Sequence, residues 1–306
     1  MVGVFRRSLS FPNKIPSRTP SKPSISHHIR SISLPCRSHP LISQLRDGVA
    51  ELHCWVTQPE CRTSVWLTNG LTRLRDLHDC LDDILQLPQT QESLRRLPSS
   101  VVENLLEDFL RFVDVYGIFQ TSILVIKEEQ SAAQVGLRKR DELKVSLYVK
   151  ARKRLVKEMG KLITAVRFIN GRSAPPLVCV GDAELSNAIG DVVEVTVTVS
   201  LVLFNVIATS FGSKKSSNWM GLRRLKKKKK KKGGIFVEDE GIVEFEEVEA
   251  ECGLVGLRKK SDEEIRKASK KMQELEAIIG GIEICGERIF RGLINARVSF
   301  LNILTM

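Results

Sequence analysis

A long helical repeat at the C-terminal end constrains the fold more than any other feature of the chain. After Ser261, apolar or small residues recur at alternating spacings of three and four, the pattern of a heptad coiled-coil seam. The positions are Ile265, Ala268, Met272, Leu275, Ile279, Ile282, Gly286, Ile289, Leu293, Ala296, Phe300 and Ile303. Ser261 with Glu264 predicts a capping box at the start. Such a helix needs packing partners, which either this chain or another chain can supply.

Upstream segments also repeat at helical spacing. Pro40 starts a first helix, a second ends before Pro88, Pro98 closes a short segment 89–97, and a fourth pattern runs over about 139–169. Between the short segment 89–97 and the pattern over 139–169, a long apolar helix begins at Ser100, where "SVVE" predicts another capping box. The chain is therefore predicted to be all-α, an elongated bundle of about five or six helices with a long heptad-patterned C-terminal helix.

The formal net charge of +12 comes from two limited regions. Residues 1–46 hold eight Lys or Arg and no acid, and Arg223, Arg224 and the seven lysines from Lys226 to Lys232 add nine more. The rest of the chain is mildly acidic. We predict a disordered basic arm at 1–37, a helical bundle at 38–211, a charged low-complexity linker at 212–260 and a C-terminal helix at 261–306 that packs on the bundle.

The N-terminal arm and the cysteines indicate in which compartment of the cell the protein resides. The arm is rich in Ser, Arg and Pro without acids, which is typical of a plain basic arm and also of an organellar transit peptide. We favour the plain arm because its prolines interrupt any amphipathic helix. Seven scattered cysteines, an odd number without a C-x-x-C pair, indicate a reducing compartment. We expect an intracellular, cytoplasmic protein, with membrane-associated, plastid and nuclear locations as alternatives.

Residues 195–213 form an uncharged run, "VTVTVSLVLFNVIATSFGS", with three interpretations. A buried core helix is the one that we favour. A membrane span is the second, since a helix of this length approaches the thickness of a bilayer, about 30 Å. A β-strand is the third, suggested by alternating Val and Thr.

The segment around 139–169 is strongly basic. It sets Val145, Tyr148, Leu155, Met159 and Leu162 among Lys144, Lys150, Arg152, Lys153, Arg154, Lys157 and Lys161. We interpret its cations as a solvated face that balances acidic neighbours such as Glu103, Glu107 and Asp108. A phosphate-binding face is the alternative.

Sequence motifs for catalysis, nucleotides or metals are not found. The chain lacks G-x-x-x-x-G-K-[ST], G-x-G-x-x-G, H-E-x-x-H and G-x-S-x-G. His53, Cys54, Cys61, His78 and Cys80 do not match a common zinc spacing. We predict no enzymatic activity, no cofactor, no metal and no small-molecule substrate.

Four blocks resemble a plant-specific family, the BYPASS-like (BPS1-like) proteins. They are "HHIRSISLPCRSHPLISQL", "LHDCLDDILQLPQTQESL", "LEDFLRFVDVYG" and "IFRGLINARVSFLNILTM", which occur in order over most of residues 27–306. The resemblance implies a helical protein without known catalytic residues, involved in root and shoot development. It also favours a helix over residues 182–211. The Val/Thr-rich stretch from Val192 to Val199 and the lysine homopolymer depart from the family pattern.

Three functions compete at this point. The first is a non-enzymatic regulatory or scaffold protein that meets a protein partner, or itself, through helices. The second is a membrane-associated protein held by residues 195–213, with the lysines near anionic lipid. The third is a nuclear nucleic-acid binder, which we do not favour because the tract is better explained as a solvated linker. Candidate interaction residues are Arg223, Arg224, Lys226, Lys232, Leu275, Ile279, Ile282 and Ile289.

Overall fold

The fold is all-α, as predicted. The structure is a computed structural model that describes residues 40–57, 62–169, 180–212, 241–245 and 260–305, and within these ranges it has no strand. Apart from one short helical turn at 243–245, their helices are the seven α1 (Pro40–Thr57), α2 (Ser64–Leu85), α3 (Pro88–Arg96), α4 (Ser99–Lys139), α5 (Glu142–Val166), α6 (Val180–Phe211) and α7 (Asp262–Thr305). The number exceeds the five or six expected, because the short segment before Pro98 is itself a helix, α3.

Six of the helices pack in a closed ring. Each one contacts the next in the order α1, α2, α7, α4, α5 and α6, and α6 returns to α1. The short helix α3 contacts α2, α6 and α7. The helices of the ring turn apolar residues to a common core, and α2 and α6 also contact each other directly.

The core is aromatic where α4, α6 and α7 meet. Phe204 of α6 lies 5.9 Å from Tyr116 and 5.3 Å from Phe119, between ring centroids, and Phe300 of α7 lies 5.3 Å from Phe109. The Tyr116 hydroxyl is 2.9 Å from Ser200 Oγ, so this buried polar group has a partner. Burial raises the pKa of Tyr116 above its ordinary value.

The two longest helices, α4 and α7, run antiparallel and are joined by hydrogen bonds from side-chain amides. Gln130 and Gln134 are both buried, and their Nε2 groups both donate to the Met272 carbonyl, Gln134 at 3.1 Å. A Cβ at Gly286 would lie 3.0 Å from the Phe119 ring, so the absence of a side chain there lets the helices approach closely.

The uncharged run is helical from Val195 to Phe211, so the strand interpretation of residues 195–213 is wrong for all of the run but its end, where Ser213 lies outside the described residues. Hydroxyl groups in α6 bond to the carbonyl four residues earlier, as Thr196 does to Val192 at 2.7 Å and Ser210 to Val206 at 2.7 Å. This satisfies the polar groups within the helix, and core packing overrides the strand preference of Val and Thr.

Two described helices are long and apolar enough to cross a membrane. They are α4 and the Glu184–Phe211 part of α6. Inside the bundle, 61% of the apolar window of α6 is buried, and 39% of that of α4. The core helices of soluble proteins meet the same criterion, so length and composition do not distinguish a span from a core helix.

The helix ends confirm one predicted capping box and contradict the other. Ser261 donates its amide to Glu264 Oε2 at 2.8 Å, and Ser261 Oγ accepts the Glu264 amide at 3.3 Å. The Ser100 box is wrong, because Pro98 is the cap residue and its carbonyl accepts the Val101 amide at 2.9 Å. Pro98 has the extended ψ of a cap, which places Ser100 inside the first turn.

The α4–α5 corner is a tight reversal. Arg140 follows α4 with φ 53° in the left-handed region, and the Asp141 amide donates to the Gly136 carbonyl at 2.8 Å. Asp141 then caps α5 by accepting the Leu143 amide at 3.0 Å.

Gly70→Ala tests the packing of α1 on α2. A Cβ at Gly70 would lie 2.1 Å from the Trp55 ring, which is stacked on Trp66 and donates to the Trp66 carbonyl at 3.1 Å. Because that ring has no room to retreat, we expect a loss of about 2–3 kcal/mol in unfolding free energy. The matched control is Gly160→Ala in α5, which meets nothing within 4 Å and should gain about 0.5–1 kcal/mol. Equal effects in denaturant titrations would contradict this packing.

Candidate functional site

The predicted seam residues lie in the core of the chain itself. Leu275, Ile279, Ile282 and Ile289 are each no more than 2% exposed, and α7 packs on α4 and α2. All twelve positions of the seam are buried. The structure thus supplies packing partners for α7 from within the chain.

The lysine tract lies outside the described residues, but both of its flanks are described. Arg223, Arg224, Lys226 and Lys232 fall between Gly212, just after α6, and a five-residue segment, Gly241–Phe245. We call this segment the clasp. It lies inside the region that the sequence predicts to be a charged linker.

The clasp binds the end of α6 and the start of α2. Its Ile242 amide donates to Ser210 Oγ at 2.8 Å, and the Phe245 ring meets Phe211 edge-on at 4.7 Å. On the other side, the Val243 amide donates to the Arg62 carbonyl at 3.1 Å. Ile242 and Phe245 are buried, and their spacing of three within an acidic stretch is the one sequence signal of this docking.

Glu244 caps helix α2 from a distance of 180 residues along the chain. Its carboxylate accepts the Ser64 amide at 3.0 Å and the Ser64 hydroxyl at 2.6 Å. Thr63 caps the same helix locally by accepting the Trp66 amide at 3.2 Å. A carboxylate here is favoured both by the unpaired amides of the first turn and by the positive end of the helix dipole.

Arg152 closes the neighbouring end of α6. Although it belongs to the basic helix α5, its side chain is buried, and Nη2 donates to the Phe211 carbonyl at 3.1 Å. Its guanidinium lies 5.9 Å from the ring centroids of Tyr148 and Phe211. This cation of the predicted basic face is therefore a structural residue that caps a helix C-terminus.

His78 is the buried ionisable group with the clearest shift. Its Nε2 lies 3.2 Å from Thr196 Oγ1, and that hydroxyl already donates to the Val192 carbonyl, so Nε2 carries the proton. Burial lowers the pKa of His78 to about 4, which keeps the imidazole neutral. With 1% exposure the ring meets no solvent, so its role is structural.

No metal cluster was found in the part of the chain that the structure describes. Within these residues, no group of three or more His, Cys, Asp or Glu is placed to hold an ion. His78 bonds Thr196 instead, and Cys54, Cys80 and Cys285 are thiols rather than members of disulfides. A shallow groove between α2 and α7, lined by Val65, Thr68, Ala277, Ile278 and Gly281 among others, has no charged lining residue in this part of the chain.

Glu244→Ala tests the clasp. Removing the carboxylate leaves the Ser64 amide without its acceptor and should lower the unfolding free energy by about 1–2 kcal/mol. Glu103→Ala, at an exposed carboxylate of α4, is the matched control and should change stability by less than about 0.5 kcal/mol. A Glu244 variant as stable as this control would show that the cap contributes nothing.

His78 predicts a pH dependence of stability. Since its folded pKa of about 4 lies below the ordinary value of 6.5, the unfolded chain binds the proton more readily, and stability falls as pH drops through this window. Between about pH 7 and about pH 5 the loss should be on the order of 2 kcal/mol. His78→Leu should remove that part of the slope in denaturant titrations. An unchanged slope would show that His78 does not titrate in this range.

The comparisons with known proteins give one family. The sequence model described as "Protein BPS1" matches residues 70–303, which include helices α3 to α6, the larger part of α2, nearly all of α7, and the clasp. No curated protein and no solved structure matches the chain. The family match spans well over half of the sequence and agrees with the resemblance carried by the four blocks. The chain belongs to the BPS1 family.

Proposed function

We propose that this protein is a non-enzymatic scaffold or regulatory protein that acts in root and shoot development of plants. Family membership and the all-helical fold support this proposal. The proposal includes no catalytic residue, cofactor or small-molecule substrate, and the location that we propose is the cytoplasm. Its activity would consist of presenting helix surfaces to a protein partner.

One observation carries the proposal: the last turns of α7 keep an apolar row on their outer side. Val298, Leu301 and Leu304 are 47%, 36% and 41% exposed and lie three residues apart. Phe300 and Ile303, between them, are buried in the core. Exposed apolar residues that align along one helix are typical of a surface that a second protein covers.

The buried seam gives this row its rigidity. Leu275, Ile279, Ile282 and Ile289 attach α7 to α4 and α2 along its middle. Near the row, Ser299 Oγ donates to Asp82 Oδ1 at 3.3 Å and accepts from Gln86 Nε2 at 3.0 Å. The seam residues thus act in partner binding indirectly, by holding the helix that displays the row.

Rescue of a plant that lacks its own family member tests the proposal. The full chain should restore root and shoot growth, whereas Val298→Asp with Leu301→Asp should fail although it folds. Val65→Asp with Val135→Asp, at two other exposed apolar positions, is the matched control and should rescue. Full rescue by the Val298 and Leu301 variant would remove the row from the proposal.

A second variant separates display from folding. Ile282→Asp with Ile289→Asp places two carboxylates in the core, where each unpaired charge is strongly disfavoured, so α7 should detach or unfold. Circular dichroism of the purified protein should show that loss of helix. Unchanged helicity in this variant would contradict the role given to the seam.

A further inference from the structure

The solvent side of α5 and of the turn that follows it is strongly cationic. We call this surface the α5 basic face; its residues are Lys150, Lys153, Arg154, Lys157, Lys161 and Arg167, and all six are exposed. Between Leu143 and Phe168 the sequence holds one acid, Glu158, which pairs with Lys161 at 2.8 Å. From Lys150 to Arg167 the face extends about 26 Å at the rise of a helix.

The acids expected from the sequence to balance this face, Glu103, Glu107 and Asp108, form no ion pair with it. Glu107 accepts instead from Arg111 of its own helix at 3.1 Å, and Asp108 is buried. Among the described residues, none forms an ion pair with Lys150, Lys153 or Lys157, nor with Arg154 or Arg167. Arg152, on the opposite side of the helix, is used in the core.

Exposed apolar side chains flank the cations at both ends. Leu143 is 67% exposed at the start of α5, and Phe168 is 66% exposed just beyond its end. On the adjacent helix α4, Ile118 and Val125 are 47% and 41% exposed. These apolar side chains have no described neighbour that covers them fully.

Cations together with exposed apolar groups fit a lipid surface better than a nucleic acid. A lipid interface attracts Lys and Arg to its headgroups and accepts Leu, Ile and Phe at the boundary with the acyl chains. Proteins that bind single-stranded nucleic acid interleave aromatic rings with the cations for base stacking. Those that bind a duplex contact its phosphates with Lys, Arg and polar side chains and have no use there for exposed Leu or Ile. One exposed aromatic ring, Phe168, lies beside the α5 basic face, just beyond its last cation.

We propose that the α5 basic face binds the surface of an anionic phospholipid bilayer, with the bundle lying on the membrane. This goes beyond the scaffold function, and it does not need residues 195–213 to leave the core. The face is solvated when the protein is free, so attachment is reversible. Because its cations attract the anionic headgroups electrostatically, binding weakens as ionic strength rises.

Vesicle sedimentation with the full chain tests this proposal. The protein should pellet with vesicles of phosphatidylcholine and phosphatidylserine and stay in solution with phosphatidylcholine alone. Each cation near an anionic surface contributes about fivefold to the partition coefficient. Lys150→Gln, Lys153→Gln and Lys157→Gln together should therefore reduce binding about a hundredfold.

The matched control removes the same charge elsewhere. Arg266→Gln, Lys270→Gln and Arg288→Gln, all at exposed positions of α7, should reduce binding less than about fivefold. A further variant, Phe168→Ser, keeps the charge and should weaken binding several-fold. Circular dichroism and thermal unfolding verify that each variant is folded, which is expected because every altered side chain is exposed.

Several outcomes would overturn the proposal. Equal losses in the two triple variants would mean that only net charge matters. Wild-type binding by the α5 variant, together with loss on changing Lys226 to Lys232 into Gln, would assign the lipid contact to the lysine tract. Retention on double-stranded DNA that depends on Lys150, Lys153 and Lys157, without a vesicle effect, would make the ligand a nucleic acid.

Discussion

The antiparallel contact of α4 with α7 is the interaction on which the rest of the bundle depends. Two buried amides, from Gln130 and Gln134, donate to the Met272 carbonyl across this interface. Sliding α7 by one turn would bring a residue with a side chain to the place of Gly286, where a Cβ would lie 3.0 Å from the Phe119 ring, and it would separate Gln134 Nε2 from Glu276 Oε2, now 2.9 Å away. The pair therefore has one register, and the seam, the aromatic core and the outward row of α7 all take their positions from it.

The predictable parts of the fold are those written in local periodicity. The apolar positions from Ile265 to Ile303, the Ser261 capping box and the start at Pro40 depend on residues close together in the chain. In the structure the apolar positions are buried, the capping box at Ser261 is present, and a helix begins at Pro40. The strand alternative for residues 195–213 failed for a different reason: propensity is a local quantity, whereas burial against other helices is not. The predicted cap of α4 was Ser100, whereas the observed cap is Pro98, two residues earlier in the chain.

Contacts between distant segments account for what the sequence did not reveal. Glu244 belongs to an acidic stretch whose composition suggests solvation, yet its carboxylate caps a helix 180 residues away. Arg152 reads as one more cation of a basic helix, yet it is directed inward to the Phe211 carbonyl. Charge patterns indicate how many ions a segment carries. Which of these ions cap a helix or lie in the core depends on neighbours that come together only in the folded chain.

The Trp55–Trp66 stack gives the molecule an intrinsic optical sensor. Its ring centroids lie 4.3 Å apart and the rings are only 18° from parallel, and the sequence has one other tryptophan, Trp219. The guanidinium of Arg62 covers Trp66 at 5.7 Å, and the carbonyl of the same Arg62 holds the clasp. Release of the clasp would thus alter the surroundings of a coupled indole pair, so near-ultraviolet emission and exciton signals follow this corner while the remaining helices stay folded.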